Sequence, residues 1–235
     1  MRSLFLDKSI YDLSVIENEV IISDKDKLHH LNNVLRIKVG VDILLFNSNG
    51  QYCLSNLSEI SKRNASLEIK ERGVYQKPHE VELAICWLKK DALEDAVNNA
   101  IQLGISKIHF VKSEYAQNPS DLTKSRFQKL LISAMEQSNH FLMPDIYEYP
   151  SIEDFIERNQ DIRKYGFTLK GEFTESEQSI EKKCLYFIGP EGGFSEKEIS
   201  ELRAKNMKFF HLPMPIMRAP VAVSCAMGYI VAQIN

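Results

Sequence analysis

From Val15 to Arg72 the apolar residues come in short alternating or β-branched runs: "VIENEVIIS", "VDILLFNSNGQYCLSNLSEI" and "ASLEIKER". Period-two patterning belongs to half-buried strands, whose successive side chains face opposite sides of a sheet. Asn49-Gly50 lies between two such runs and is a strong hairpin dipeptide, because both residues tolerate the positive φ of tight turns. One stretch, "DKDKLHHLNNVLRI", has helical spacing instead. The amino-terminal segment therefore predicts a small β-barrel or sheet with one helical insertion.

The texture changes near "GVYQKPHE", Gly73–Glu80. "VELAICWL" reads as a buried strand, and "DALEDAVNNAIQLG" as a helix with Asp91 and Glu94 at capping-box spacing and Gly104 as its stop. "SKIHFVKS" is the next strand. The alternation continues through "RFQKLLISAMEQS", "IEDFIER", "CLYFIG", "EKEISELRAKN", "KFFHLP" and "PVAVSCAMGYIVAQI". Strands alternating with helices predict an α/β fold, a mostly parallel sheet with helices on its faces.

A chain of 235 residues, 44% of them hydrophobic, is long enough for one large or two small domains with real cores. Its net charge of −3 gives no global attraction to nucleic acid, so an RNA role must rest on a local patch. His29, His30, Arg36 and Lys38 crowd the helical insertion and are the place to look. Cys53, Cys86, Cys184 and Cys225 lack the spacing of a zinc site or a disulfide framework and read as buried thiols in a reducing compartment. The start "MRSLFLDKSI" lacks the apolar stretch of a signal peptide and no window is long enough to span a membrane, so a cytoplasmic location is expected.

The chemistry concentrates near the carboxyl end. In "CLYFIGPEGGFSEKEI" the loop Gly189–Gly193 leaves the carboxyl end of a strand, where open parallel sheets bind ligands. Ser195 and Glu198 stand at capping-box spacing, so the residues alone read either as a ligand loop or as a well-capped strand-to-helix turn. Neither GxGxxG nor GxxxxGK[ST] fits, which argues against a phosphate cradle. Further on, "PMPIMRAPVAVSCAMG" holds an irregular apolar segment with prolines at 213, 215 and 220, and Pro220 suits the first turn of a helix. Arg218 is the only charged side chain between Leu212 and Ile234. It reads either as a solvent-facing arginine at a helix start or as a cation positioned for an anionic substrate or transition state. The small residues of the last helix permit close packing, in a core or at a subunit interface.

In chain order, "HHLNNVLRIKVG", "QLGI", "AMEQS" with Pro144 following, "GPEGGFSEKEI" and the "IMR" loop resemble the ribosomal RNA small subunit methyltransferase E family. The resemblance covers essentially the whole chain, and "PEGGFS" is its most specific element. It implies an RNA-binding, PUA-like β-barrel over residues 1–73. It also implies a SPOUT methyltransferase domain over 74–235, with a mostly parallel sheet, helices on both faces and a carboxyl-terminal trefoil knot. Family membership further implies a homodimer that uses S-adenosyl-L-methionine to methylate N3 of one uridine in 16S ribosomal RNA of the small subunit, with no metal and no membrane. Carried over by position, three loops would hold the cofactor: Leu169, Lys170 and Gly171; Gly189, Pro190, Glu191, Gly192 and Gly193; and Leu212, Ile216, Met217, Arg218 and Ala219. Arg218 would be catalytic, stabilising the charge that spreads over the uracil oxygens when N3 loses its proton. Glu191 and Glu136 are the options for a general base. Arg2, His30, Arg36 and Lys38 would hold RNA phosphates.

The chain also departs from the family pattern. Many members read close to "LGxRILRTETA" where this one has "LPMPIMRAPVA", and "KATELG" appears as "NAIQLG" with Asn99 and Gln102. Tyr115 and His140 stand where arginines are common. Polar contacts to cofactor or RNA are expected to be fewer. Two other readings follow: a SPOUT enzyme acting at another RNA position, such as a ribose 2′-O methyltransferase, or a ribosome-associated RNA-binding protein without transfer activity. The modified nucleoside separates the first, and binding of a methyl donor separates the second.

Overall fold

The computed structural model describes residues 2–7, 18–77, 79–118, 124–172, 180–211 and 214–234. They form two compact units, Met1–Gln76 with Met135–Met143, and Lys77–Ala134 with Pro144–Asn235.

In the first unit the described strands are β1 (Arg2–Phe5), β2 (Glu19–Ile22), β3 (Asp42–Phe46), β4 (Gln51–Ile60) and β5 (Ala65–Val74), in the sheet order β1-β3-β4-β5-β2. β1 runs parallel to β3, and the other pairs are antiparallel. Alternation sends Leu4, Val20, Ile22, Ile43, Leu45 and Leu57 into one apolar core. Both edge strands share that core, so the sheet curls into a small barrel, and register shifts along β4 help it bend. The β3–β4 hairpin closes through Asn47 N–H donating to Gln51 O at 3.1 Å, with Gly50 at φ +80°.

The helical insertion is continuous but changes type along its length. α1 (Lys25–His29) is capped by Asp24, whose side chain accepts from Lys27 N–H, and it runs into a π-helical turn over His30–Val34. Leu28 and Leu31 point into the core, and the chain leaves the turn through Arg36 at φ +48°. The last helical turn before Asn139 also belongs to this unit: Ser3 Oγ donates to Glu136 O at 2.6 Å, and Phe141 packs on Phe46 with ring centroids 4.6 Å apart.

In the second unit β6 (Glu80–Cys86), β7 (Lys107–Val111), β8 (Asp145–Tyr149), β9 (Arg163–Glu172), β10 (Lys183–Ile188) and β11 (Lys208–Phe210) form a parallel sheet, order β11-β9-β10-β6-β7-β8. β6 and β10 are buried along almost their whole length, as strands covered on both faces must be. The helices are α2 (Lys90–Gln102), α3 (Lys124–Ser138, ending in the first unit), α4 (Ile152–Arg158), α5 (Glu196–Ala204) and α6 (Ala219–Gln233). Leu185 and Phe187 of β10 join Phe155 of α4 and Leu202 of α5 in one core. The intervening Tyr186 faces the opposite side, where α6 packs on β10 and on α2.

α2 buries Leu93, Ala96, Val97, Ala100 and Ile101, the spacing of a one-sided helix, and ends at Gly104 with φ +84°. Its start corrects the sequence expectation. The N-cap is Lys89, without a side-chain bond, and Glu94 instead pairs with Arg126 at 2.9 Å. Burial pushes the Cys86 and Cys184 thiols up to about 12, so both are inert, and all four cysteines are free.

One polar cluster lies inside this unit. His109 Nε2 meets Glu82 Oε2 at 2.8 Å and its Nδ1 meets the Tyr149 hydroxyl at 3.1 Å, while Lys107 Nζ reaches Glu82 Oε1 at 2.8 Å. Burial alone would raise the Glu82 carboxyl, but the bonds from His109 and Lys107 outweigh it and hold the group below its ordinary range. A carboxylate with a lowered folded-state value stabilises the fold above its unfolded value, and that contribution is lost as pH falls through the folded one. Glu82→Gln should therefore lower the urea midpoint at about pH 7 and flatten its fall between about pH 5 and pH 3 relative to wild type. Parallel wild-type and variant curves would show that the cluster is not coupled to folding.

Candidate functional site

In the sheet order, β10 lies between β9 and β6, and β11 lies outside β9. Residues of β9 and of the segments after β10 and β11 are therefore neighbours, and they line one cavity of about 540 Å³. That size suits a small-molecule ligand. Phe167 and Thr168 come from β9, Gly189–Phe194 from the turn after β10, and Met214–Ala219 from the segment after β11.

The turn after β10 is fixed from within. Gly193 N–H donates to Pro190 O at 2.8 Å, and Gly193 lies at φ +75°, where a side chain would strain the backbone. Phe194 folds under the turn onto Phe187, with centroids 4.8 Å apart, and its ring would stand 3.1 Å from a Cβ at Gly189. α5 then begins with the capping box expected from sequence: Ser195 Oγ accepts from Glu198 N–H at 3.3 Å, and Glu198 Oε2 accepts from Ser195 N–H at 2.8 Å. The box thus occupies the N–H groups of Ser195 and Glu198 at the start of α5.

Sequence reasoning missed the second half of Glu198's role. Its other oxygen, Oε1, accepts from Glu114 N–H at 2.8 Å, so one buried carboxylate ties the turn after β10 to the loop after β7. The spacing Ser195 to Glu198 announces the cap, whereas a bond spanning 84 residues leaves no local signal.

α6 begins differently. Arg218 is its N-cap with no side-chain cap bond, and Pro220 sits in the first turn. Asn99 Nδ2 donates to Pro220 O at 3.2 Å, giving this departure from the family pattern a role in holding the helix start. Arg218 itself is exposed and lines the cavity together with Ala219 and Ala222.

The structure thus brings Gly189, Pro190, Glu191, Gly192, Gly193, Ile216, Met217, Arg218 and Ala219 to one cavity. Leu169, Lys170 and Gly171 lie in β9 just beyond Thr168, and Leu212 lies outside the described residues. Glu136 is elsewhere. It belongs to the first unit, where its Oε1 accepts from Phe5 N–H at 3.0 Å, and burial raises its carboxyl despite that bond. Its bond to the barrel's own backbone gives it a structural role in this unit.

In the first unit Arg2 Nη1 donates to Leu35 O at 2.6 Å, and Leu35 N–H donates to His30 O at 2.8 Å. Arg2, His30 and Arg36 therefore meet at the π-helical turn, with exposed Lys38 two residues beyond. Among the described residues no group of three or more His, Cys, Asp or Glu side chains could hold a metal ion.

Losing Glu198 strands two N–H groups, whereas losing the Ser195 hydroxyl strands one. Ser195→Ala should cost about 1 kcal/mol of stability. Glu198→Ala should cost about 2–3 kcal/mol in the same urea titration. Equal losses would mean that the Glu114 bond adds nothing.

Comparison with known proteins follows this division. A family described as RNA methyltransferase domain matches residues 75–231, and one described as RNA methyltransferase PUA domain matches residues 22–70. A ribosomal RNA small subunit methyltransferase E of Rickettsia conorii is 30% identical over 97% of this chain and 93% of its own length. One of Bacillus subtilis is 26% identical over 87% of this chain and 88% of its own. Among solved structures, a ribosomal RNA small subunit methyltransferase E from Neisseria gonorrhoeae bound to S-adenosyl methionine superposes with a TM-score of 0.84. That alignment covers 100% of this chain and 98% of the other at 20% identity.

Proposed function

Because the chain belongs to the ribosomal RNA small subunit methyltransferase E family, we propose that it transfers a methyl group from S-adenosylmethionine to N3 of a uridine in 16S ribosomal RNA. The observation that carries this reading is the cavity lined by β9 and by the segments after β10 and β11. Its residues fit the cofactor. Ile188, Ile199 and Phe210 offer apolar walls for an adenosine, the loop backbones offer N–H and C=O groups for its edges, and Glu191 and Glu196 add negative charge suited to a sulfonium. By the family resemblance, Leu169, Lys170, Gly171 and Leu212 would join them. When bound, S-adenosylmethionine supplies an electrophilic methyl group.

The chain's own task is to hold uracil in line with that methyl group and to make N3 nucleophilic. Arg218, the one cation between Leu212 and Ile234, stands on the cavity wall at the uncapped start of α6. Its guanidinium can bind the uracil oxygens that take up charge as N3 loses its proton, and this favours both deprotonation and transfer. Glu191 also lines the cavity and is the carboxylate placed to receive that proton. The first unit positions the RNA through Arg2, His30, Arg36 and Lys38, whose cations suit phosphate oxygens. Such an enzyme works where ribosomes are assembled, in the cytoplasm.

The chain acts as a homodimer in this reading. α6 carries no charge from Ala219 to Gln233, yet its outer side exposes Val221, Gly228 and Val231. A second copy covering that side accounts for a helix that is apolar all round.

Titration with S-adenosylhomocysteine should give saturable binding at one site per chain, and a folded protein that binds none would sink the reading. Arg218→Ala should keep that affinity and lower methylation of small subunits by about 10²–10³-fold. Unchanged turnover would relieve Arg218 of its role. A Cβ at Gly228 meets nothing within 4 Å, so Gly228→Arg should leave the protomer folded and shift sedimentation from dimer to monomer. A dimer that survives this change does not use α6.

A further inference from the structure

Tyr115, in the loop after β7, is an aromatic side chain with no part in the mechanism above. It is 51% exposed. Among the described residues the other strongly exposed tyrosine, Tyr147, has its ring stacked on His109 at 5.3 Å and 17°. Tyr115 stacks on no ring among the described residues.

The backbone on both sides of Tyr115 is held. Glu114 N–H donates to the buried Glu198 carboxylate at 2.8 Å, and Gln117 N–H donates to Trp87 O at 2.9 Å. Lys112 Nζ donates to the carbonyls of Ala116, at 3.3 Å, and Gln117, at 3.1 Å. Tyr115 Cβ lies against Gly192, only 3.2 Å from where a Cβ on that residue would stand. Gly192 is part of the turn that lines the cavity. A solvent-facing ring thus stands on a held stretch of backbone beside the Gly192 turn, and a held backbone lowers the entropy lost on binding.

The local charges are mixed. Lys89 and Lys90 are exposed, but so are Glu114 and Glu191, and Lys89 N–H faces Glu191 Oε1 at 3.5 Å. Two lysines beside two glutamates leave little net charge to attract phosphate, so the aromatic face is the feature that recognises a ligand here. A tyrosine face takes an unpaired nucleobase by stacking, whatever the base.

We propose that Tyr115 is the stacking platform for an unpaired base of the RNA strand entering the cavity, the target uracil or its immediate neighbour. The inference rests on the RNA methyltransferase reading above and adds a substrate contact to it. The loop after β7 thereby becomes part of the RNA path, and Glu198 becomes the residue that positions it.

The test compares full-length wild type, Tyr115→Ala and Tyr115→Phe, with small ribosomal subunits as ligand and substrate and S-adenosylhomocysteine as cofactor probe. Tyr115→Ala should weaken subunit binding about 5- to 100-fold. It should raise KM by a similar factor with kcat nearly unchanged, and leave S-adenosylhomocysteine affinity and the salt dependence of binding as in wild type. Tyr115→Phe should behave as wild type, because the ring makes the contact. Wild-type binding and KM in Tyr115→Ala would overturn the proposal. So would a parallel loss of S-adenosylhomocysteine affinity, which would mean that Tyr115 only props the Gly192 turn, or a Phe variant as weak as Ala. A wild type that binds S-adenosylhomocysteine but neither binds nor methylates the subunit would instead remove the RNA reading itself.

Discussion

The placement of β10 between β9 and β6 is the constraint on which the second unit depends. β10 bonds in register to both neighbours, Cys184–Ile188 against Arg163–Phe167 on one side and Lys183–Ile188 against Glu80–Ile85 on the other. Its side chains face a helix layer on each side, so from Cys184 to Ile188 it is buried throughout. A strand so enclosed fixes where its own end emerges, and with it the turn Gly189–Gly193. The same placement sets β9 between β10 and β11, which gathers β9 and the segments after β10 and β11 around one cavity. Gly166 shows how tight this arrangement is: the Phe209 ring of the neighbouring strand occupies the space that a Cβ would need.

Two helices start at the cavity, and their first turns are built in opposite ways. α5 begins with the reciprocal Ser195–Glu198 box, so its start serves to fix the glycine turn. α6 has no side-chain cap, begins with Arg218 and carries Pro220 in its first turn. The positive end of its backbone dipole and the guanidinium thus lie together on the cavity wall, where negative charge on a substrate would be favoured. The Asn99 bond to Pro220 O supplies part of the anchoring that a cap would otherwise give.

Positions where this chain differs from its family have found structural uses. His140 stands edge-on to Tyr75 with centroids 5.3 Å apart, and its Nδ1 meets the Tyr75 hydroxyl at 3.3 Å, inside the barrel unit. Tyr115 seats on Gly192. These contacts replace ionic side chains with rings, which relies on packing where a guanidinium would rely on charge.

Local pattern in the sequence was enough to read the α/β alternation, the Asn49-Gly50 hairpin, the stop at Gly104 and the Ser195–Glu198 box, because each depends on residues a few positions apart. The glycine turn and Arg218 were legible as a candidate site for a similar reason: few residue types suit a positive φ, and one charge in an apolar run stands out. Local spacing misled at the start of α2, where Asp91 and Glu94 have the form of a box but Arg126, distant in sequence, takes the Glu94 carboxylate. The helical insertion looked uniform, yet burying Leu28 and Leu31 in one core came with a π-helical turn. Glu136 was an option for a general base from sequence, and the structure gives it a bond from Phe5 N–H that no local spacing announces. Glu198 bonding to Glu114, the Tyr115 ring on Gly192 and the order of the strands were decided only by tertiary structure, since hydrogen bonds and ring contacts between distant segments impose no spacing on the chain.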